Sequence, residues 1–202
     1  MRLVLTAAAA MFAVVPPALA QGVPGNPDPA VAHAGSYVVE PNHTRVQFTV
    51  SHMGFTEWYG DFTGVSGTLA LDPAHPAASR VAVTIPVASV STTNARLDEE
   101  LKSAPWFDAA SWPEIRFVST AITRTGPNSA RITGALTFHG VTRPVVLQAS
   151  FMGGGVNPLD KAYTVGFNAT TTIRRSDFGM KTYVPMIGDE VAIRISAAFE
   201  AH

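Results

Sequence analysis

Six histidines, one arginine doublet and a scatter of carboxylates are the residues that could carry acid–base, metal or anion chemistry here. His33, His75 and His202 fall in a Pro- and Ala-rich stretch, a proline-flanked turn and the chain end. No histidine stands two or four residues from another with a carboxylate beside it, the spacing that aims two imidazoles at one metal ion. A metal site is therefore not expected. His43 opens a strand after Pro41-Asn42, and His139 sits at a hairpin tip. Each imidazole either satisfies backbone groups at a barrel rim or stands near a ligand head group, where the neutral ring donates a hydrogen bond. Arg174, Arg175 and Asp177 precede Phe178-Gly179 in a loop. They read as a salt-bridged turn or as a guanidinium contact for an anionic head group. Asp98, Glu99 and Glu100 crowd one short helix, a solvated face rather than a catalytic dyad. No G-x-S-x-G, phosphate-binding glycine loop or dinucleotide fingerprint occurs. No catalytic residue and no cofactor are expected; an enzyme using His43, His139 and Asp177 is the competing reading.

Composition narrows the field further. The chain has no cysteine, which removes thiolate metal sites, thiol nucleophiles and disulfides. Stability must come from a core, and 47% hydrophobic content over 202 residues is ample for one domain. A net charge of −1 with 14% charged residues leaves no basic field for nucleic acid.

The N-terminus reads as a targeting segment. Met1-Arg2 precedes an apolar run through Val15 that is too short to span a bilayer comfortably, then Pro16-Pro17-Ala18-Leu19-Ala20. The Ala18-x-Ala20 spacing fits signal peptidase, so residues 1–20 are expected to be removed and the protein to be periplasmic. Residues 21–35 carry Pro, Gly and Ala without periodicity and read as a flexible linker. The domain proper is expected over residues 36–200.

The elements that must position any site are strands. Alternation is clearest over residues 43–52, where Val46, Phe48 and Val50 share a face opposite Arg45, Gln47 and Thr49. Residues 80–87, 131–138, 143–151 and 190–199 repeat the pattern, and weaker strands fall near 36–40, 59–71, 114–122 and 163–171. Asp72-Pro73, Gly126-Pro127-Asn128 and His139-Gly140 are turn signals, and Gly153-Gly154-Gly155 reads as a flexible turn. One segment differs. Residues 94–103 place Leu97 and Leu101 four apart, with Asp98 positioned to meet Lys102, and Pro105 ends the run. A short helix midway through the strands would close one end of a barrel.

The expected fold is all-β, with about eight antiparallel strands arranged as a sandwich or as an up-and-down barrel. Such a barrel can be filled by its own side chains or hold one ligand. Gly134, Ala149, Ala169 and Ala197 share parity with the large apolar residues, which fits either a cavity or a tapered, self-filled interior. Phe48, Phe62, Phe117, Phe138, Phe151 and Phe167 lie on strands, where they pack the core and would also contact a ligand. Trp58, Trp106 and Trp112 flank turns or the helix and read as mouth residues. Phe107 and Phe178, in loops, complete the apolar cavity-and-rim set.

Several segments together resemble the YceI-like family. They are Tyr37-Val-Val-Glu-Pro-Asn-His43-Thr-Arg-Val-Gln-Phe48, His52-Met-Gly-Phe55, Gly60-Asp-Phe62, and Phe107-Asp108 through Trp112-Pro113-Glu-Ile-Arg-Phe117. Gly134-Ala-Leu-Thr-Phe-His139-Gly140-Val-Thr-Arg143-Pro144-Val and Ile173-Arg174-Arg175-Ser-Asp177-Phe178-Gly179 complete the set. The resemblance spans residues 36–200 and implies a lipocalin-like barrel, a long apolar channel and a polyisoprenoid ligand such as a polyprenyl lipid or quinone tail. A binding or transport protein follows as the functional expectation; the alternatives are an enzyme acting on an isoprenoid lipid and a self-filled barrel serving as an interaction protein. Transient membrane contact and a homodimeric state are the further partner expectations.

Overall fold

Alternating apolar and polar residues organise the chain into one antiparallel sheet that closes on itself. The computed structural model describes residues 22–202, so the expected leader and its cleavage point lie outside the described residues. The strands are β1 (Gly35–His52), β2 (Thr56–Phe62), β3 (Ser66–Leu71), β4 (Arg80–Pro86) and β5 (Glu114–Arg124). They continue as β6 (Ser129–Phe138), β7 (Val141–Val156), β8 (Tyr163–Arg174) and β9 (Ile187–Ala201). Each pairs with its neighbour around the sheet, and β9 returns to β1 to close the barrel. β2 and β3 lie end to end along one edge of β1, pairing Val46 with Phe62 and Val38 with Thr68. They act as one interrupted strand, which makes the barrel eight-stranded.

The interior face does not follow one parity along each strand. In β1, Tyr37 and Val39 are buried before the register shift between Glu40 and Arg45, Thr44 within it, and Phe48 after it. The shift absorbs Pro41, which lacks the amide needed for an unbroken ladder. This joins the two segments read separately from sequence into one bent strand. In β5 the register slips between Ser119 and Ala121, so buried Ile115, Phe117 and Ser119 give way to Ile122. A third slip, between Phe151 and Gly153, bends β7. Such bulges let a closed sheet coil without losing its inner face.

The helix, α1, runs Ala95–Lys102, with Asn94 accepting from the Leu97 amide as its N-cap. Leu101 is buried and Leu97 packs on the core. The expected Asp98–Lys102 pair does not form. Lys102 meets Glu99 at 2.9 Å instead. Asp98 turns inward and accepts from the amide and hydroxyl of Thr92, at 2.6 and 2.7 Å. Thr92 is buried, and an unsatisfied donor there would cost more than an exposed ion pair contributes.

One end of the barrel receives α1, the His139–Gly140 turn and the loop from Arg175 to Met186. The opposite end carries the β3–β4, β5–β6 and β7–β8 connections together with residues 22–34.

Candidate functional site

Inward-facing side chains leave space instead of filling it. The interior holds a cavity of ≈ 840 Å³. Its strand-borne wall is aliphatic, with Val83, Ile85, Ile115, Leu136, Val145 and Leu147 among its members. Ala149, Ala169 and Ala197 line it where larger residues would occupy it, while Phe117, Phe138, Phe151 and Phe167 supply aromatic surface. Gly134 acts differently from these alanines. A Cβ there would overlap the Phe117 ring, so this glycine seats the aromatic residue rather than widening the cavity.

Polar groups are distributed unevenly along the cavity. Within the middle of the barrel the hydroxyl of Thr44 is already engaged with the Ala198 backbone. Asp72, Ser79, Arg124, Asn128 and Ser129 gather at one end, joined by Asp28. Several have partners in the loops: Arg124 donates to the carbonyls of Gly126 and Pro127, and Asp72 accepts from the His75 amide. Hydrogen bonds from His75 outweigh the desolvation opposing them and hold the Asp72 carboxyl below its ordinary pKa. This end is polar and open.

The other end is sealed. Phe107 enters from the loop after α1, and its ring centroid lies 5.4 Å from Phe138, 5.8 Å from Phe62 and 6.4 Å from Phe48. Phe178 packs on Phe138 at 6.2 Å. These tilted and edge-on contacts form a plug, with ring edges meeting ring faces. Gly60 makes room for it, since a Cβ there would overlap the Phe48 ring.

Arg175 holds the loop behind the plug. Its guanidinium donates to the carbonyls of Gly188, Met180, Thr182 and Ile187 at 2.8–3.1 Å and lies over the Trp106 ring. Burial pulls its pKa below the ordinary value, and Asp189 opposes that shift. Asp189 accepts from the amide and hydroxyl of Ser176 at 2.9 and 2.8 Å. Desolvation works to raise its carboxyl, but these bonds and the charges of Arg175 and Arg174 hold it below the usual carboxylate range.

The structure thus separates the residues singled out from sequence. Phe117, Phe138, Phe151 and Phe167 line the cavity. Phe48, Phe62, Phe107 and Phe178 do not; they pack together with Phe138 in the plug at the sealed end. Trp58 lies beside His52 on the β1–β2 hairpin, and Trp106 packs near Arg175 and Tyr183, so neither borders the cavity opening. None of the five polar candidates reaches the cavity. His43 is on the outer surface, 2.6 Å from Glu40, whose hydrogen bonds outweigh desolvation and lower its pKa. His139 uses Nδ1 to donate to the Phe178 carbonyl at 3.1 Å. Arg174 faces Glu190, Asp177 is exposed, and Arg175 has its donors committed to backbone. The head-group contact read for this loop is replaced by a structural one, because four converging carbonyls satisfy the buried cation. Among the described residues, no group of three or more His, Asp or Glu is placed to hold a metal ion.

The polar residues at the open end are legible in the sequence only as turn formers. Asp72-Pro73 and Pro127-Asn128 announce turns, but nothing local says that those turns surround an opening.

Comparisons with known proteins agree with this architecture. The YceI-like domain profile matches residues 37–199. A relative from Pseudomonas savastanoi pv. phaseolicola, described as a UPF0312 protein, is 42% identical over 152 residues, covering 74% of this chain and 79% of the relative. The crystal structure of Burkholderia cenocepacia BcnA superimposes with a TM-score of 0.72 at 27% identity, covering 79% of this chain and 98% of BcnA. A polyisoprenoid binding domain from Saccharophagus degradans, implicated in plant cell wall breakdown, shares the fold at a TM-score of 0.65 and 13% identity, over 84% of this chain and all of that domain. The chain belongs to the YceI-like domain family.

Proposed function

We propose that this protein is a periplasmic carrier that holds a long isoprenoid lipid, a polyprenyl chain or quinone tail, inside the barrel. The observation that carries this reading is the ≈ 840 Å³ apolar cavity, sealed at one end by rings and open at the other among polar loops. An amphiphile enters such a space tail first and leaves its head at the open end, where water and the loop polar groups remain available. Burying on the order of 500 Å² of tail gives about 12 kcal/mol gross at ~25 cal/mol per Å². Immobilising the ligand offsets much of that. Affinity then comes from apolar area, with no specific hydrogen bond required. The description of the S. degradans domain as polyisoprenoid binding supports the ligand class, and the Ala18-x-Ala20 leader supports the compartment.

Binding is favoured over conversion by placement. His43, His139 and Asp177, the acid–base candidates, all lie away from the cavity, so a lipid inside meets none of them. Native mass spectrometry of protein purified from its own periplasm should reveal a co-purifying lipid with the mass of an intact isoprenoid. Empty protein that also takes up no added polyprenol or quinone would refute the proposal.

A further inference from the structure

Residues 22–34 precede the family-matched segment and carry no strand or helix signal, yet the barrel has a berth for them. Asn26 and Gly154 exchange two backbone hydrogen bonds, each 3.0 Å, where β7 extends past its pairing with β6. The berth is glycine: a Cβ on Gly155 would overlap the Pro24 carbonyl oxygen, and one on Gly153 would sit 3.4 Å from the Asn26 oxygen. Three consecutive glycines weaken a strand, so their place in β7 has a reason in what passes over them. This replaces the flexible turn read from Gly153-Gly154-Gly155.

The chain then crosses the open end of the barrel. Asp28 caps a 3-10 turn, Pro29–Val31, by accepting from the Ala30 amide at 3.0 Å. The Tyr163 hydroxyl donates to the Val31 carbonyl, and its ring stacks on His33 with centroids 4.1 Å apart. Tyr37 donates to the His33 carbonyl at 2.8 Å. Val31 and Ala32 pack on the core. A segment expected to trail as a linker is instead a strap held at three points, and Asp28, Pro29, Ala30, Ala32 and Ala34 line the cavity.

Resting on the carrier reading above, we infer that this strap is part of the binding site: it grips the portion of a long ligand that emerges from the barrel. At ~30 Å³ per non-hydrogen atom, the share one molecule of water takes in the liquid, the ≈ 840 Å³ cavity encloses about 28 atoms. That is roughly five or six isoprene units by the same measure. Shorter tails fit deeper in the barrel than the strap residues that line its opening, and depend on the strap less. Longer ones leave through the opening, where Pro29, Ala30, Ala32 and Ala34 offer small apolar surface along their path. The strap thereby makes retention depend on chain length, acting on the dissociation rate more than on entry.

The test compares farnesol, of fifteen carbons, with solanesol, of forty-five, binding to the full chain purified from the periplasm. Gly155→Val blocks the berth, and Tyr163→Phe removes the hydroxyl that holds Val31 while keeping the ring on His33. Solanesol affinity should fall about tenfold in Gly155→Val and less in Tyr163→Phe, with farnesol changed less than about twofold in both. Unaltered farnesol binding also certifies that the barrel has folded. Should Gly155→Val fail to fold, hydrogen exchange in the wild-type chain decides: the Asn26 amide should gain protection with solanesol and not with farnesol. Equal weakening of both ligands, or identical Asn26 exchange with either, overturns the strap's role while leaving the carrier intact. A wild-type protein that binds neither overturns the carrier reading, and the strap's role falls with it.

Discussion

The two ends of the barrel solve opposite problems with the same kind of strand. At the sealed end, Phe48, Phe62, Phe107, Phe138 and Phe178 meet ring to ring, and Arg175 and Asp189 tie the covering loop to backbone and to Ser176. Along the cavity, alanines on the adjacent strands β7, β8 and β9 leave one wall thin, with Ala149 paired directly to Ala169, and at the open end the loops satisfy their own polar groups. Side chains at the sealed end hold the fold. Those around the cavity give up packing that a self-filled barrel would gain, as a site kept for a ligand must. The contrast assigns stability to one end and capacity to the other.

That division has consequences of different sizes. Phe178 is 1% exposed, and Phe178→Ala should cost about 3–5 kcal/mol, lowering the thermal midpoint by about 10 °C. Calorimetry that found a loss under about 1 kcal/mol would show that the plug is not what holds this end. Filling the cavity should do the reverse. Ala169→Phe introduces a ring into free volume, so stability should stay within about 1 kcal/mol of wild type while polyprenol affinity drops at least about tenfold. A loss of stability like that of an overpacked core, with binding unchanged, would erase the distinction between the ends.

The smallest effect lies in pH. The Asp189 carboxyl is held below its unfolded value, so the stability it contributes is fully present above about pH 4 and is lost as pH falls through the folded value. The thermal midpoint should therefore decline below about pH 4, and less steeply in Asp189→Asn. Indistinguishable slopes in the two proteins would remove Asp189 from the clamp.

Much of this barrel is legible in the residues alone. Alternation locates the strands, and residues 94–103 announce a helix that forms over Ala95–Lys102. What alternation does not supply is phase. The register shifts at Glu40/Arg45, Ser119/Ala121 and Phe151/Gly153 each move the inner face, and a period-2 pattern has no means of marking an extra residue in advance. The aromatic residues show the same limit. Phe117 and Phe48 both alternate correctly on strands, yet one lines the cavity and the other is shut behind Phe107, which comes from the loop after α1.

The sequence by itself determined an all-β chain with a short closing helix and no cysteine chemistry, because these follow from local period, turn residues and composition. Only the tertiary structure decided which end is open, which rings face the space, and that residues 22–34 cross the opening instead of trailing from it. Those outcomes rest on contacts such as Asn26 with Gly154 and Phe107 with Phe138, which join residues far apart in the chain. Their energies exist only once the sheet has closed and brought both partners to the same end.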